Sequence, residues 1–179
     1  MAIENLARVF DLSIGYLNID LNTAGATGKR VSMRNASSIT AVAILPATAA
    51  TEDVTLDIQQ HTASSGGSSA DLDAGGVAGS RGIDHFYIKA TNPALLGTET
   101  WTRVSQTEAS EVVVVGATYG ASQCLVAIEI GANQLADGYS YISVISPDPG
   151  ATARVVSVIY VVAGLQVQRK SANLAAALA

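Results

Sequence analysis

The chain is short of charge. Of its 179 residues only 10 are Lys or Arg and 15 are Asp or Glu, so 14% carry a charge. A soluble domain usually carries about 25%. A lone protein stays dispersed through charged surface, so this chain is expected to hide much of its exterior against other chains. The formal net charge of -5 speaks against a nucleic-acid binder, which needs Lys and Arg clustered along one face. Lys29, Arg30 and Arg34 are the densest basic group, and they are expected to decorate a strand edge. Cysteine is nearly missing as well. Cys124 stands alone, so no internal disulfide or thiolate metal site can form, and within Cys124–Ile128 it is expected to act as a small buried hydrophobe. No apolar run is long enough for a membrane-crossing helix. Met1–Leu6 lacks the basic and apolar regions of a signal peptide, and none is expected.

Catalytic and ligand-binding patterns are also absent. His61 and His85 sit beside strand-like runs without further metal ligands at suitable spacing, so both are expected at the surface or an edge. Asp71-Leu72-Asp73 begins like a calcium loop, but Gly82 stands where a bidentate Glu belongs, which rejects an EF-hand. An irregular, weak calcium site from Asp71, Asp73 and Asp84 is all that remains of that idea. Gly28-Lys29 resembles part of a phosphate loop, yet Thr23 and Arg30 occupy positions that need Gly and Ser/Thr; a tight turn is expected instead. No Gly-x-Ser-x-Gly elbow occurs, and no serine has a local histidine base. Asn35-Ala36-Ser37 is read as a chance sequon. Aromatics make up 5% of the chain, too few for the platforms of a sugar-cleaving cleft. No catalytic residue, metal or cofactor is expected.

What is present is strand. Val54, Leu56 and Ile58 alternate with Thr55, Asp57 and Gln59, the pattern of a half-buried strand. Further strand-like runs are expected over 10–21, 30–33, 38–45, 86–90, 100–105, 112–117, 123–130, 139–145 and 154–162. Gly, Pro, Ser, Asn and Asp punctuate them. That spacing predicts an all-β fold, a single antiparallel β-sandwich with a jelly roll as its expected form. Its core should contain Leu56, Ile58, Phe86, Ile88, Val126, Ile128, Ile142, Val144, Val156, Val158 and Tyr160. Residues 154–162 are apolar at nearly every position, so that strand should be central and covered on both faces, by the second sheet and by either a neighbouring subunit or more of its own chain. Only 132–136 and 171–179 carry helical character. The Gly/Ser-rich stretch Ala63–Gly82 is expected to be a long loop, mobile alone and ordered against a neighbouring subunit. The domain plan is an N-terminal arm and first strand over 1–22, a sandwich over 23–165 and a C-terminal arm over 166–179.

The chain resembles a family of tailed-bacteriophage virion proteins, the small head-associated or capsid decoration proteins. The stretches that carry the likeness are Asp53–Gln60 with its following Gly/Ser loop, Phe86–Lys89, Trp101–Gln106, Leu125–Leu135, Asp137–Tyr139 and Val158–Val161. The resemblance covers roughly residues 38–165 and implies a β-sandwich subunit located in the virion and made in the host bacterial cytoplasm. Its partners would be the phage major capsid protein or other virion proteins, and copies of itself as a trimer or higher homo-oligomer, with no nucleic acid and no membrane. A head–tail connector, tail or fibre subunit is the nearest alternative. A carbohydrate-binding sandwich using Trp101, Tyr139 and Tyr141 is another. Contacts are expected from short apolar stripes on the arms, Ile3, Leu6 and Val9 at one end and Leu174 and Leu178 at the other, with Trp101 as an anchor.

Overall fold

The computed structural model describes residues 9–48, 51–73, 81–150 and 152–166. They form two antiparallel sheets packed face to face, an all-β sandwich. The larger sheet has the strands β1 (Asp11–Asp20), β4 (Ser38–Leu45), β7 (Ile83–Thr91), β8 (Thr102–Ala109), β10 (Gln123–Gly131) and β12 (Val155–Ala163). Its spatial order is β1-β12-β4-β10-β7-β8. The smaller sheet is centred on β5 (Val54–His61) and β11 (Tyr141–Ser146). Two short strands, β2 (Ala26–Thr27) and β3 (Val31–Ser32), pair with one side of β11. On the far side of β5, β6 (Ser69–Asp71) and β9 (Glu111–Val114) pair with its two halves.

Alternation dictates the packing. Along β12, Val156, Val158, Tyr160 and Val162 are buried while the residues between them are half-exposed. The same period of two puts Ile39, Ala41, Ala43 and Leu45 of β4 inside, and Val54, Leu56 and Ile58 of β5 opposite them. Every residue expected in the core is buried. Fully burying one such Val or Ile side chain contributes about 1.5–3 kcal/mol.

Tyrosines tie the sheets together. Gly28 interrupts the strand formed by β2 and β3, and its N–H donates to the Val144 carbonyl at 2.8 Å. At that break the Val144 N–H finds the hydroxyl of Tyr160, which reaches across from β12 and accepts at 3.0 Å. A side chain on Gly28 would stand 2.7 Å from both the Tyr160 hydroxyl and the Val144 carbonyl oxygen. This close approach, rather than phosphate binding, is why a glycine precedes Lys29. A second link joins the Tyr16 and Ser146 hydroxyls, 2.6 Å apart, and burial pushes the Tyr16 pKa up to about 12.

Several expectations need correction. The strand expected over 112–117 stops at Val114, and Gly116–Tyr119 forms a short helix, α1. Asp53 accepts the Gly116 N–H at 2.8 Å there, in a space with no room for a side chain. The stretch 63–82 is not wholly a loop, because it contains β6. Its residues 74–80 lie outside the described ones. Strand β12 is central, but Val155, Ile159 and Val161 on its outward face remain half-exposed, so the cover expected there is lacking among the described residues. His61 is buried rather than at the surface. Of the expected arm contacts, Ile3, Leu6, Leu174 and Leu178 lie outside the described residues, and Val9 sits half-buried in the turn before β1.

Candidate interaction surface

The two outer faces of the sandwich differ in chemistry. On the smaller sheet most outward side chains are polar and mutually bonded, with Val113 and Ile145 the apolar exceptions. Gln59 donates to Asp57 at 2.7 Å and also to Asp71. His61 lies between Ser69 and Ser143, with its ring nitrogens 2.7 and 2.8 Å from the two hydroxyls. Burial, with a smaller contribution from the Arg30 charge, pushes the His61 pKa down to about 4, so the ring is neutral near pH 7. The Asp57 carboxyl is pushed the other way, upward, chiefly by burial. Next to them Gln60 is fully buried; it donates to the Asp71 carbonyl at 3.1 Å and accepts the Ala136 N–H at 2.9 Å.

Two of the three residues of the basic cluster are spent on the same sheet. Arg30 donates to the carbonyls of Ala63 and Gly66, at 2.9 and 2.5 Å, and to the Ser69 hydroxyl at 3.2 Å. It therefore clamps the turn between β5 and β6. Arg34 lies over the Tyr141 ring, 5.1 Å from its centroid, and donates to Ser140.

The outer face of the larger sheet is apolar. Register places Ile14, Ile159, Val42, Ala127, Tyr87 and Arg103 in one line across all six strands. On one side of it run Leu12, Val161, Thr40 and Glu129. On the other side run Ser157, Ile44, Leu125 and Lys89. Trp101 ends that last line, its ring 4.9 Å from the Lys89 ammonium, in cation–π reach. Leu12, Ile14 and Leu17 of β1 are each about half exposed, at 50, 46 and 52%. A shallow groove of about 500 Å³ opens between Leu12, Ile14, Lys29 and Ile159. Strands about 4.8 Å apart and side chains about 6.8 Å apart along each strand give the apolar positions of these lines roughly 330 Å². That is the size of the largest apolar patch on an ordinary monomer, a patch that is often functional.

The edges of this sheet are guarded differently. β1 is broken by two register shifts, between Ile14 and Tyr16 and between Tyr16 and Ile19, and Asn18 takes a positive φ of 52°. The Gly15 carbonyl at the first shift accepts the Lys29 N–H. β8 instead exposes Thr102, Arg103, Ser105, Thr107 and Glu108.

Sequence-predicted residues scatter over this frame. Trp101 is exposed at a corner of the apolar face, while Tyr141 is buried under Arg34 on the opposite sheet, with Tyr139 in the turn that leads to it. The structure does not bring the three together. Asp71 is engaged by Gln59 on β6, and Asp84 on β7 is 2.5 Å from the His85 ring. Among the described residues no group of three or more His, Cys, Asp and Glu could hold a metal ion. A polar groove of about 340 Å³ lies at one end of the apolar face, lined in part by Asp84, His85, Glu108 and Glu129. Cys124 is buried, and burial pushes its thiol pKa up. Sequence reasoning missed the apolar face itself. Its signal was present: β4 and β12 are apolar at both parities, where a strand with one wet face alternates. No family model, curated protein or solved structure matches this chain.

Proposed function

We propose that this protein is a structural subunit of a tailed-bacteriophage virion, one that decorates or cements the capsid through multivalent contacts with the major capsid protein and with copies of itself. The observation that carries the reading is the unlikeness of the two outer faces, one largely apolar from β1 to β7 and one largely polar. A subunit that lies on a particle needs one face to be covered and one to meet water. The scarcity of charge supports the same reading. So does the strand order. The neighbours β1-β12-β4-β10 in one sheet and β2/β3-β11-β5-β9 in the other are those expected of a jelly roll, with β6, β7 and β8 inserted before β9. Jelly rolls recur in capsid proteins and in lectins. The lectin branch gains nothing from Trp101 and Tyr141, which stand on opposite sheets.

The test is quantitative mass spectrometry of purified virions from the genome that encodes the chain. The expected result is a copy number commensurate with capsid symmetry, and reduced occupancy when Ile44→Glu places a charge on the apolar face. Virions free of the chain would overturn the reading.

A further inference from the structure

We infer that the apolar face of the six-stranded sheet is covered by a second copy of the same chain, the two sheets stacked face to face about a two-fold axis. The inference deepens the reading of that face as an interface, and names its partner. Charge placement on the face argues for it. Glu129 on β10 lies one line to one side of the row through Val42 and Ala127. Lys89 on the neighbouring strand β7 lies one line to the other side, beside Leu125. A two-fold axis in the interface plane that crosses the central row near Ala127 and Tyr87 carries each Glu129 onto the partner's Lys89 position. The face is thus complementary to itself, as an isologous interface must be.

The layout of the face fits such a pairing. A stable complex buries about 800 Å² on each partner, with an apolar centre and a polar rim. The roughly 330 Å² of apolar positions supplies the centre, and Lys29, Glu129, Lys89 and Arg103 stand around it. Face-to-face sheets pack about 10 Å apart with their strands crossed by about 30°, so half-exposed Val42, Ile44 and Ile159 can interdigitate without moving the backbone. The sequence-level expectation of a trimer or higher is thereby refined to an assembly built from two-fold pairs.

Sedimentation velocity of the purified full chain over a concentration series tests this. A dimer is expected. Val42→Lys, on an outward position that leaves the core intact, should give a folded monomer by circular dichroism. Glu129→Lys and Lys89→Glu should each weaken the dimer by about tenfold or more, since each sets like charges together twice. The doubly swapped chain should regain an affinity within about threefold of the original, because opposite charges face again. A wild-type chain that stays monomeric would overturn the inference, and so would a double swap no tighter than the single ones. A dimeric chain missing from virions would instead overturn the functional proposal and leave the pair standing. A monomeric chain found in virions would do the reverse.

Discussion

At the scale of single residues, stability rests on polar atoms that the core cannot leave unpaired. The Tyr160 hydroxyl is the partner of the Val144 N–H where the neighbouring strand breaks at Gly28. Tyr160→Phe keeps the ring and removes the acceptor, so it should cost about 1–3 kcal/mol, read as a lower urea midpoint at unchanged slope. Gly28→Ala forces a methyl group against a backbone carbonyl and should cost about as much, by the same measurement. His61 makes stability depend on pH. Its pKa is depressed to about 4 in the folded chain, against about 6.5 when unfolded. The unfolded chain therefore takes up the proton first, and the stability held above about pH 6.5 drains away as pH falls toward 4. The full difference is worth about 3 kcal/mol. The carboxyls of Glu52, Asp84 and Glu99 are pushed downward, so their contribution is present above the unfolded carboxylate range and fades only as pH falls through it. Urea unfolding at pH 7 and pH 4.5 should show the loss, and His61→Gln should flatten it; a profile unchanged by that substitution would remove His61 from the account.

At the scale of elements, the short strand β6 matters more than its sequence suggests. It offers Ser69 to His61 and the Asp71 carbonyl to fully buried Gln60, and Arg30 clamps the turn that leads into it. The surrounding Gly and Ser suggest a dispensable loop, and deleting 64–79 would be judged harmless on loop entropy alone. With these partners lost, the deletion should instead destabilise the domain by about 2–5 kcal/mol, measured as a fall in thermal midpoint with circular dichroism still showing strand. Here the physical limits of sequence reading are visible. Strands β4, β5, β10 and β12 were legible because their alternation is a local property of the chain. β6 and the break between β2 and β3 were not. They exist because distant residues, Gln60 and Tyr160, need hydrogen-bond partners, and spacing in sequence does not encode that need. The end of β9 was hidden for a similar reason: Asp53 and the crowded backbone at Gly116 bend a β-branched run into α1.

At the scale of the molecule, the sequence led to the expectation that surface is hidden but not to which surface. The scarcity of charge is a property of the whole chain, while the apolar face is made by register across β1, β12, β4, β10 and β7. Trp101 was anticipated as an anchor and stands at a corner of that face; Leu12, Ile14, Val42 and Ile44 were not. A chain this rich in strand and this poor in charge has the composition of a fibre former. Its edges decide otherwise. An exposed strand templates the next one unless it is bent or decorated, and this sheet uses both devices: two register shifts bend β1, while β8 is shifted once against β7 and decorated by Arg103, Thr107 and Glu108. Replacing those three β8 residues with valine should turn a clear solution into thioflavin-positive aggregate, while the native chain remains clear at the same concentration. Strand-by-strand polymerisation is thereby blocked at both ends. On the proposed two-fold pairing, association is left to the apolar face, which a single partner covers, so the molecule can be sticky and still stop growing.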